Sequence, residues 1–340
     1  MRIALTISLV IAAGIALGQG RQRAARGAPA LGPPWQTPPC AVVSGLPSVR
    51  FLRGKEIAAN RDAVVNRYAS DLAISDVANR IYAVYGDALY ESRDAGCTWR
   101  TRARFPAFAD DVASIALASE AYIYVYTERT LARLTSSTTE TFSLPERIRK
   151  LAADPHDPTH LRAVAVYGAS YESWNSGENW DFLGDATSSL VYTAAVDPEN
   201  FDHVIAATLG SGVVVTNDGG RTWTFTDMRG VNVWEIKFST VDPRVVWTQG
   251  GDSLYRSDDG GRTFLLVLQS SPSIPFTRAV LAPHAHNANI VAISSVNGIA
   301  IYHWPDNSAF LIETVRPGAL AWSPSDILYF SAPDQVIIVN

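Results

Sequence analysis

The strongest constraint on the fold is an eight-residue motif that recurs at nearly constant spacing. Its common form is S/T-x-D/N-x-G-x-T/N-W/F, and each copy is called a box below. Four near-complete boxes occupy residues 92–99, 173–180, 216–223 and 257–264, and two decayed copies start at Thr135 and His303. Successive starts are separated by 43, 38, 43, 41 and 46 residues. A repeat of about 43 residues predicts an array of similar units.

A second series of turns runs in phase with the boxes. Three Asp-Pro turns begin at Asp154, Asp197 and Asp242, and four related positions extend the series to seven turns: 75–76, 118–119, 282–283 and 323–324. Short β-like segments lie between the markers, and no long stretch has a helical period. Four strands per repeat predict an all-β, seven-bladed β-propeller of four-stranded blades, with each box in the hairpin between third and fourth strands.

The boxes resemble those of the Asp-box, or bacterial neuraminidase repeat, propellers. The group includes sialidases, sortilin-type receptors, xyloglucan-cleaving hydrolases and photosystem II assembly factors. The resemblance covers about residues 70–310 through the boxes and extends to 340 through the turns. Size and blade count are most similar to those of the photosystem II assembly factors, whose arginine-rich surface contacts a partner protein. Because one fold carries many functions, the function has to be argued from a site.

The box side chains are predicted to stabilise their own turns. The acidic or amide residue can accept backbone N–H bonds, glycine permits a positive φ, and the closing aromatic ring can pack between sheets. The alternative is a metal or sugar site, but the same chemistry recurs in every box, so we predict a scaffold without metal or cofactor. The residues are Asp94, Gly96, Trp99, Asn175, Gly177, Trp180, Asp218, Gly220, Trp223, Asp259, Gly261 and Phe264.

The N-terminus has the pattern of an export signal. Met1 and Arg2 precede fifteen uncharged residues, 3–17, and a small-residue site follows. A helix of that length rises about 22 Å, which is short of the bilayer core of about 30 Å, so we favour cleavage over a retained anchor. We therefore predict a signal peptide at 1–18, a flexible linker at 19–39 and one propeller at 40–340. The protein is expected to be secreted or periplasmic, monomeric and without a membrane span after cleavage.

The last repeat ends at its third strand and needs a partner from elsewhere. We predict that a strand within 41–53 pairs with the C-terminal blade and closes the ring. This closure would bring Cys40 close to Cys97, so we predict a disulfide between them, as suits an exported protein. The alternative is two buried free cysteines.

Charge argues against a nucleic-acid partner. The net charge is −5, and the predicted signal peptide and linker contain four arginines, Arg2, Arg21, Arg23 and Arg26, and no acidic residue. Without them, 24 basic residues face 33 acidic ones, a net charge of −9. A surface this acidic is poorly suited to phosphate backbones.

The loops opposite the boxes carry the candidate site. Arginines and carboxylates gather in the loops between fourth and first strands and between second and third strands. They predict a site for an anionic ligand or a glycan, the alternative being ordinary salt-bridged loops. The binding candidates are Arg149, Arg229, Arg278 and Arg316.

Catalytic signatures are few. The sequence lacks HExxH, CxxC, GxSxG and Walker-type patterns. A sialidase resemblance would imply an F/Y-R-I-P motif, whereas residues 49–54 read VRFLRG. We predict an exported, non-catalytic binding or assembly propeller that recognises a protein or glycan partner through its loop face. The alternative is a sialidase-like or other exo-acting glycoside hydrolase, with Asp110 and Asp111 as candidate carboxylates.

Overall fold

The structure is a computed structural model that describes residues 43–46, 49–52 and 70–339, except 76, 78, 109–110, 187–188, 314–316 and 333–334. The described residues belong to one compact unit. The predicted signal peptide and linker lie outside them, as do Cys40, Asp110 and Arg316. None of the described residues forms a helix with the length and apolarity that crossing a bilayer requires.

The described chain is almost entirely β-structure. It begins with β1 (Val43–Leu46) and β2 (Val49–Leu52). One sheet then contains β3 (Asp71–Ile74), β4 (Ile81–Tyr85), β5 (Ala88–Ser92) and β6 (Arg100–Arg104), and a 3-10 turn at Pro106–Phe108 leads to the next. That sheet contains β7 (Ser114–Ser119), β8 (Tyr122–Tyr126), β9 (Thr130–Leu134) and β10 (Thr139–Ser143).

The same four-strand pattern continues along the chain. The next two sheets contain β11 (Ile148–Ala153), β12 (Leu161–Ala165), β13 (Ala169–Ser173) and β14 (Asp181–Asp185), then β15 (Val191–Val196), β16 (Val204–Thr208), β17 (Gly212–Thr216) and β18 (Thr224–Phe225). Two more contain β19 (Val233–Phe238), β20 (Val246–Gly250), β21 (Ser253–Ser257) and β22 (Leu265–Gln269), then β23 (Leu281–Pro283), β24 (Ile290–Ser295), β25 (Gly298–His303) and β26 (Ser308–Glu313). The last strands are β27 (Leu320–Trp322), β28 (Leu328–Ala332) and β29 (Gln335–Val339).

The prediction of seven four-stranded blades is wrong. The propeller has six four-stranded blades, and the remaining sheet has five strands in the order β1-β2-β29-β28-β27. The difference arises because the segment 41–53 forms two strands instead of one. β2 pairs antiparallel with β29, from Val49 opposite Val339 to Leu52 opposite Val336, and β1 adds outside β2.

The first strand of each sheet lies nearest the ring axis. β3 contacts β7, the contacts continue through β11, β15, β19 and β23, and β27 returns to β3. All neighbours within a sheet are antiparallel. Consequently every innermost strand starts on the same face, the one that carries the loops from fourth to first strands.

Large side chains near the start of four second strands connect their sheets to the next one. Tyr82 donates its hydroxyl to Glu120 at 2.9 Å, and Tyr124 donates to the Pro158 carbonyl at 2.7 Å. Trp247 and Tyr329 are also fully buried, and they donate to the carbonyls of Ala288 and Ala95 at 3.3 and 3.2 Å. The Tyr329 bond joins the five-stranded sheet to the first box. These hydrogen bonds fix the position of neighbouring sheets, whose contacts are otherwise apolar.

The box aromatic rings lie between sheets. Trp99 is buried in a cluster with Leu72 of its own sheet and Tyr329 of the five-stranded sheet. Trp180, Trp223 and Phe264 pack against the equivalent clusters further round the ring. Because each apolar cluster is shared by two sheets, no sheet can bury its core alone.

The box carboxylates are occupied by their own turns. Asp218 accepts hydrogen bonds from the Thr222 N–H at 2.8 Å and from the hydroxyls of Thr216 and Thr222 at 2.7 and 2.6 Å. Asp94 and Asp259 make the same contacts in their own boxes. The amide oxygen of Asn175 accepts the corresponding bonds from the Asn179 N–H and the Ser173 hydroxyl. The indole of Trp223 donates to the Gly220 carbonyl at 3.1 Å. These oxygens are therefore engaged in stabilising the turns.

Cys97 lies in the first box, partly buried against the same cluster as Trp99. It carries no free thiol. Its predicted partner, Cys40, lies outside the described residues, and the pairing stays a prediction.

Candidate functional site

A cavity opens at the ring axis on the loop face. It has a volume of about 380 Å³, and its walls come mainly from the innermost strands and the residues just before them. This axial cavity is lined by charged side chains from several sheets: Asp71, Arg149, Lys150, Glu235, Lys237 and Arg278. Four cations and two carboxylates give the lining an excess of positive charge, in contrast to the acidic chain as a whole.

Lys237 and Glu235 form an ion pair on β19. They lie two residues apart and therefore on the same side of the strand, with 2.8 Å between Lys237 Nζ and Glu235 Oε1. The charge of Glu235 raises the pKa of Lys237 above its ordinary range, against the opposing effect of burial, and Asp71 adds to the rise. Lys237 is therefore a cation already balanced by carboxylates of the cavity.

Asp71 connects two innermost strands. One carboxylate oxygen accepts the N–H of Leu72 and the other the N–H of Ile115 on β7, both at 2.9 Å. Burial raises the pKa of Asp71 above its usual 3.8, and these two bonds, with the charges of Lys237 and Lys150, act in the opposite direction. Both oxygens are used by the backbone, so Asp71 has a structural role in the wall.

Arg149 is held at the rim by polar contacts. Its guanidinium lies 3.2 Å from Glu128 and donates to the Val191 carbonyl at 3.3 Å. Glu128 also accepts a hydrogen bond from Nε of Arg147 at 2.8 Å. Arg149 is thus oriented by a shared carboxylate, and only part of its charge is compensated.

Arg278 lies over an aromatic ring instead of beside an acid. Its guanidinium carbon is 4.4 Å from the centre of the Trp234 ring, and Tyr192 meets Trp234 edge-on at 4.5 Å. Tyr192, Trp234 and Arg278 are called the aromatic shelf below. Arg278 has a φ of 47°, in a region that costs a non-glycine residue about 1–2 kcal/mol. Within the described part of the chain, neither Arg278 nor Lys150 has a carboxylate at ion-pair distance.

The cavity brings together two of the four predicted binding arginines. Arg149 and Arg278 line it, whereas Arg229 is exposed elsewhere and stacks over Phe225 at 4.6 Å. Arg316 is outside the described residues. The candidate acid Asp111 is exposed, its N–H donates to the Phe108 carbonyl at 3.0 Å, and it does not line the cavity.

Sequence reasoning missed Asp71, Lys150, Glu235 and Lys237. A signal for them exists, because charged residues interrupt innermost strands that are otherwise apolar and small, as Lys237 does between Ile236 and Phe238. Charged side chains at such positions are costly to bury between sheets, so they predict a polar cavity where the innermost strands meet.

The arrangement is suited to binding an anion. Asp71 and Glu235, the carboxylates of the lining, are both engaged, one by backbone N–H groups and the other by Lys237. In the part of the lining that the structure describes, the site therefore offers more cations than carboxylates, and both of those carboxylates are already engaged. Among the described residues, no group of three or more His, Cys, Asp or Glu side chains could hold a metal ion.

Comparison with known proteins gives one sequence relative and several structural ones. No family model matches the chain. It is 29% identical over 294 residues to the dispase autolysis-inducing protein of Streptomyces mobaraensis, with 76% of each chain covered. This similarity is too low to assign a family.

Among solved structures, YCF48 bound to D1 peptide has a TM-score of 0.61 at 16% identity, covering 76% of this chain and 89% of its own. YCF48 from Cyanidioschyzon merolae gives 0.59 at 15% identity, covering 81% and 96%. The GH74 xyloglucanase from Xanthomonas campestris gives 0.63 at 14% identity, covering 85% of this chain and 52% of the enzyme. At these identities the similarity shows a shared β-propeller fold.

Proposed function

We propose that this chain is an exported, non-catalytic propeller of the Asp-box group that binds a protein partner through its loop face. In this proposal a carboxylate of the partner enters the axial cavity. The observation that carries it is the presence of Lys150 and Arg278, two cavity cations without a carboxylate at ion-pair distance in the described chain. Lys150 is half-buried and Arg278 is exposed, and together they give this part of the lining a positive charge that favours a negatively charged ligand.

The size of the cavity limits what can enter. About 380 Å³ is near the lower end of ligand pockets. It is enough for one or two side chains, or for the end of a chain, and the rest of the partner would lie on the surrounding loops. Tyr192 and Trp234 supply apolar area beside the mouth. The aromatic shelf would therefore contact residues next to the bound carboxylate.

Arg278 has a side chain that can bind a carboxylate at two points. A guanidinium can give two parallel N–H bonds to one carboxyl group, and each charge-assisted bond contributes about 1.5–3 kcal/mol. The contact with Trp234 orients the guanidinium before the ligand arrives, so less side-chain freedom is lost on binding.

The comparisons support a protein ligand over a glycan. One structural neighbour is YCF48 bound to a peptide, and the sequence relative is named for an effect on dispase, which suggests action on another protein. The GH74 xyloglucanase is an enzyme, but in the described lining of this cavity both carboxylates are engaged, Asp71 by backbone N–H groups and Glu235 by Lys237. A binding role therefore accounts for the site better than hydrolysis does.

Peptide libraries test this proposal. Random hexapeptides are displayed in two forms, one with a free C-terminal carboxylate and one with a C-terminal amide. Each form is made as two libraries, one that includes Asp and Glu and one that omits them. We expect selection of carboxylate-bearing peptides, and the two displays distinguish a chain end from a side chain. Replacing Lys150 and Arg278 by Met should weaken binding about 10- to 100-fold, whereas Arg229→Met should leave it unchanged. Selection that ignores carboxylates, or a double variant that binds like the wild type, would refute the proposal.

A further inference from the structure

The opposite face of the propeller carries an exposed tryptophan without a role in the box turn. Trp174 is the second residue of its box and is 57% exposed. The other three complete boxes have polar residues at this position, Arg93, Asn217 and Asp258. The aromatic ring that the turn uses is Trp180, whose indole donates to the Gly177 carbonyl. The turn therefore does not account for Trp174.

The indole of Trp174 is held rigidly from below. It stacks parallel on the ring of His160, with centroids 3.7 Å apart and an angle of 3°. His160 is buried, its Nδ1 lies 3.1 Å from Asp154 Oδ2, and Phe201 of the next sheet meets its edge at 4.9 Å. One face of the indole is thus covered and its orientation is set, while more than half of the side chain stays open to solvent.

Polar groups of both signs lie beside this ring. Glu172 lies close to this stack, because its Oε2 is 3.8 Å from Nε2 of His160, the ring that carries Trp174. Its carboxylate accepts a bond from Arg221 at 3.0 Å, and Arg162 bonds to Asp202 at 3.0 Å. Arg221 and Asp202 belong to the next sheet, and about half of each side chain is exposed. Trp174 with these four residues is called the indole platform.

Two buried polar atoms beneath the platform have no partner in the described structure. They are Nε2 of His160 and Nε of Arg162, and both side chains are more than nine-tenths buried. His160 Nε2 is 3.8 Å from Glu172, too far for a hydrogen bond. Both atoms are closed to solvent, so hydrogen bonds to a ligand have to come from the exposed ends of Arg221 and Asp202 beside the indole.

From these features we propose that the indole platform binds a carbohydrate. One face of a pyranose ring carries C–H groups, which pack on the negative face of an indole, and its hydroxyls both donate and accept hydrogen bonds. Two arginines and two carboxylates balance in charge, so the platform suits a neutral ligand rich in hydroxyls. The axial cavity, with its excess of cations, has the opposite character. The two sites lie on opposite faces and this proposal does not depend on the first.

The test measures binding of neutral oligosaccharides, with cellohexaose, chitohexaose, maltohexaose and mannohexaose as probes in calorimetry. We expect at least one to bind, Trp174→Ala to weaken it about tenfold or more, and Trp174→Tyr to retain most of the affinity. Phe310→Ala is the matched control, because it removes an exposed aromatic ring from another sheet. Arg221→Met should also weaken binding.

The same titrations separate this site from the axial cavity. The variant with Met at positions 150 and 278 should bind the sugar like the wild type, and Trp174→Ala should bind peptides like the wild type. The proposal is overturned if none of the four sugars binds, or if Trp174→Ala binds them unchanged while its thermal unfolding is also unchanged. It is equally overturned if Phe310→Ala loses as much affinity as Trp174→Ala.

Discussion

Asp218 allows the role of the box carboxylates to be measured by pH. Burial opposes ionisation of this group, but hydrogen bonds from Thr222, Thr216 and the Arg221 N–H outweigh burial and lower its pKa to about 2. A carboxyl group whose pKa is lower in the folded state stabilises the fold above the unfolded pKa, near 3.8. That stability is lost as the pH falls from about 4 through 2.

The shift from 3.8 to about 2 corresponds to at most about 2.4 kcal/mol, at about 1.36 kcal/mol per pKa unit. Asp218 is partly exposed, so solvent screening reduces the expected contribution to about 1 kcal/mol. Asp218→Asn removes the charge and keeps an amide oxygen, as Asn175 has in its own box. Asp218→Ala also leaves the Thr222 N–H without its acceptor, and should cost about 2–3 kcal/mol at pH 7.

The assay is urea unfolding of the wild type and both variants between pH 7 and pH 2. We expect Asp218→Asn to be about 1 kcal/mol less stable at pH 7 and to converge with the wild type at pH 2. Asp218→Ala should stay less stable at both ends. Asp306→Asn, which changes an exposed carboxylate in the turn between β25 and β26, serves as control. A constant gap between wild type and Asp218→Asn across this range would refute the reasoning.

The repeat itself could be read from the sequence because its signals are local. Every box places its acceptor, glycine and aromatic ring within eight residues, and the hydrogen bonds of Asp218 and Asn175 follow from that spacing. Asp154 and His160 are six residues apart and bond to each other, and Asp197 and His203 repeat the pair. Hydrogen bonds within such turns join residues that are close in sequence, so they can be predicted without a structure.

The closing sheet and the site could not be read in the same way. Whether the segment 41–53 forms one strand or two depends on pairing with β29, almost 300 residues later in the chain. Arg149, Arg229 and Arg278 all follow fourth strands in the sequence, but of these three only Arg149 and Arg278 line the cavity. The orientation of Trp174 depends on stacking against His160, which lies fourteen residues earlier on another hairpin. Such contacts are set by register and sheet packing, which local patterns do not specify.

Two further substitutions test the packing of the seams. A Cβ at Gly177 would lie 2.2 Å from the buried Leu131 side chain at a φ of +90°, whereas Gly210 has a φ of +78° and open space around it. Gly177→Ala should therefore lower the free energy of unfolding by about 3 kcal/mol or more, and Gly210→Ala by about 1 kcal/mol. If both variants lose the same stability, crowding against Leu131 is not the cause. Tyr329→Phe removes the hydroxyl that donates to the Ala95 carbonyl and leaves that acceptor buried. This substitution should lower the free energy of unfolding by about 1 kcal/mol, measured in urea. An unchanged stability would mean that the bond does not stabilise ring closure, and that apolar packing and the β2–β29 pairing do so instead.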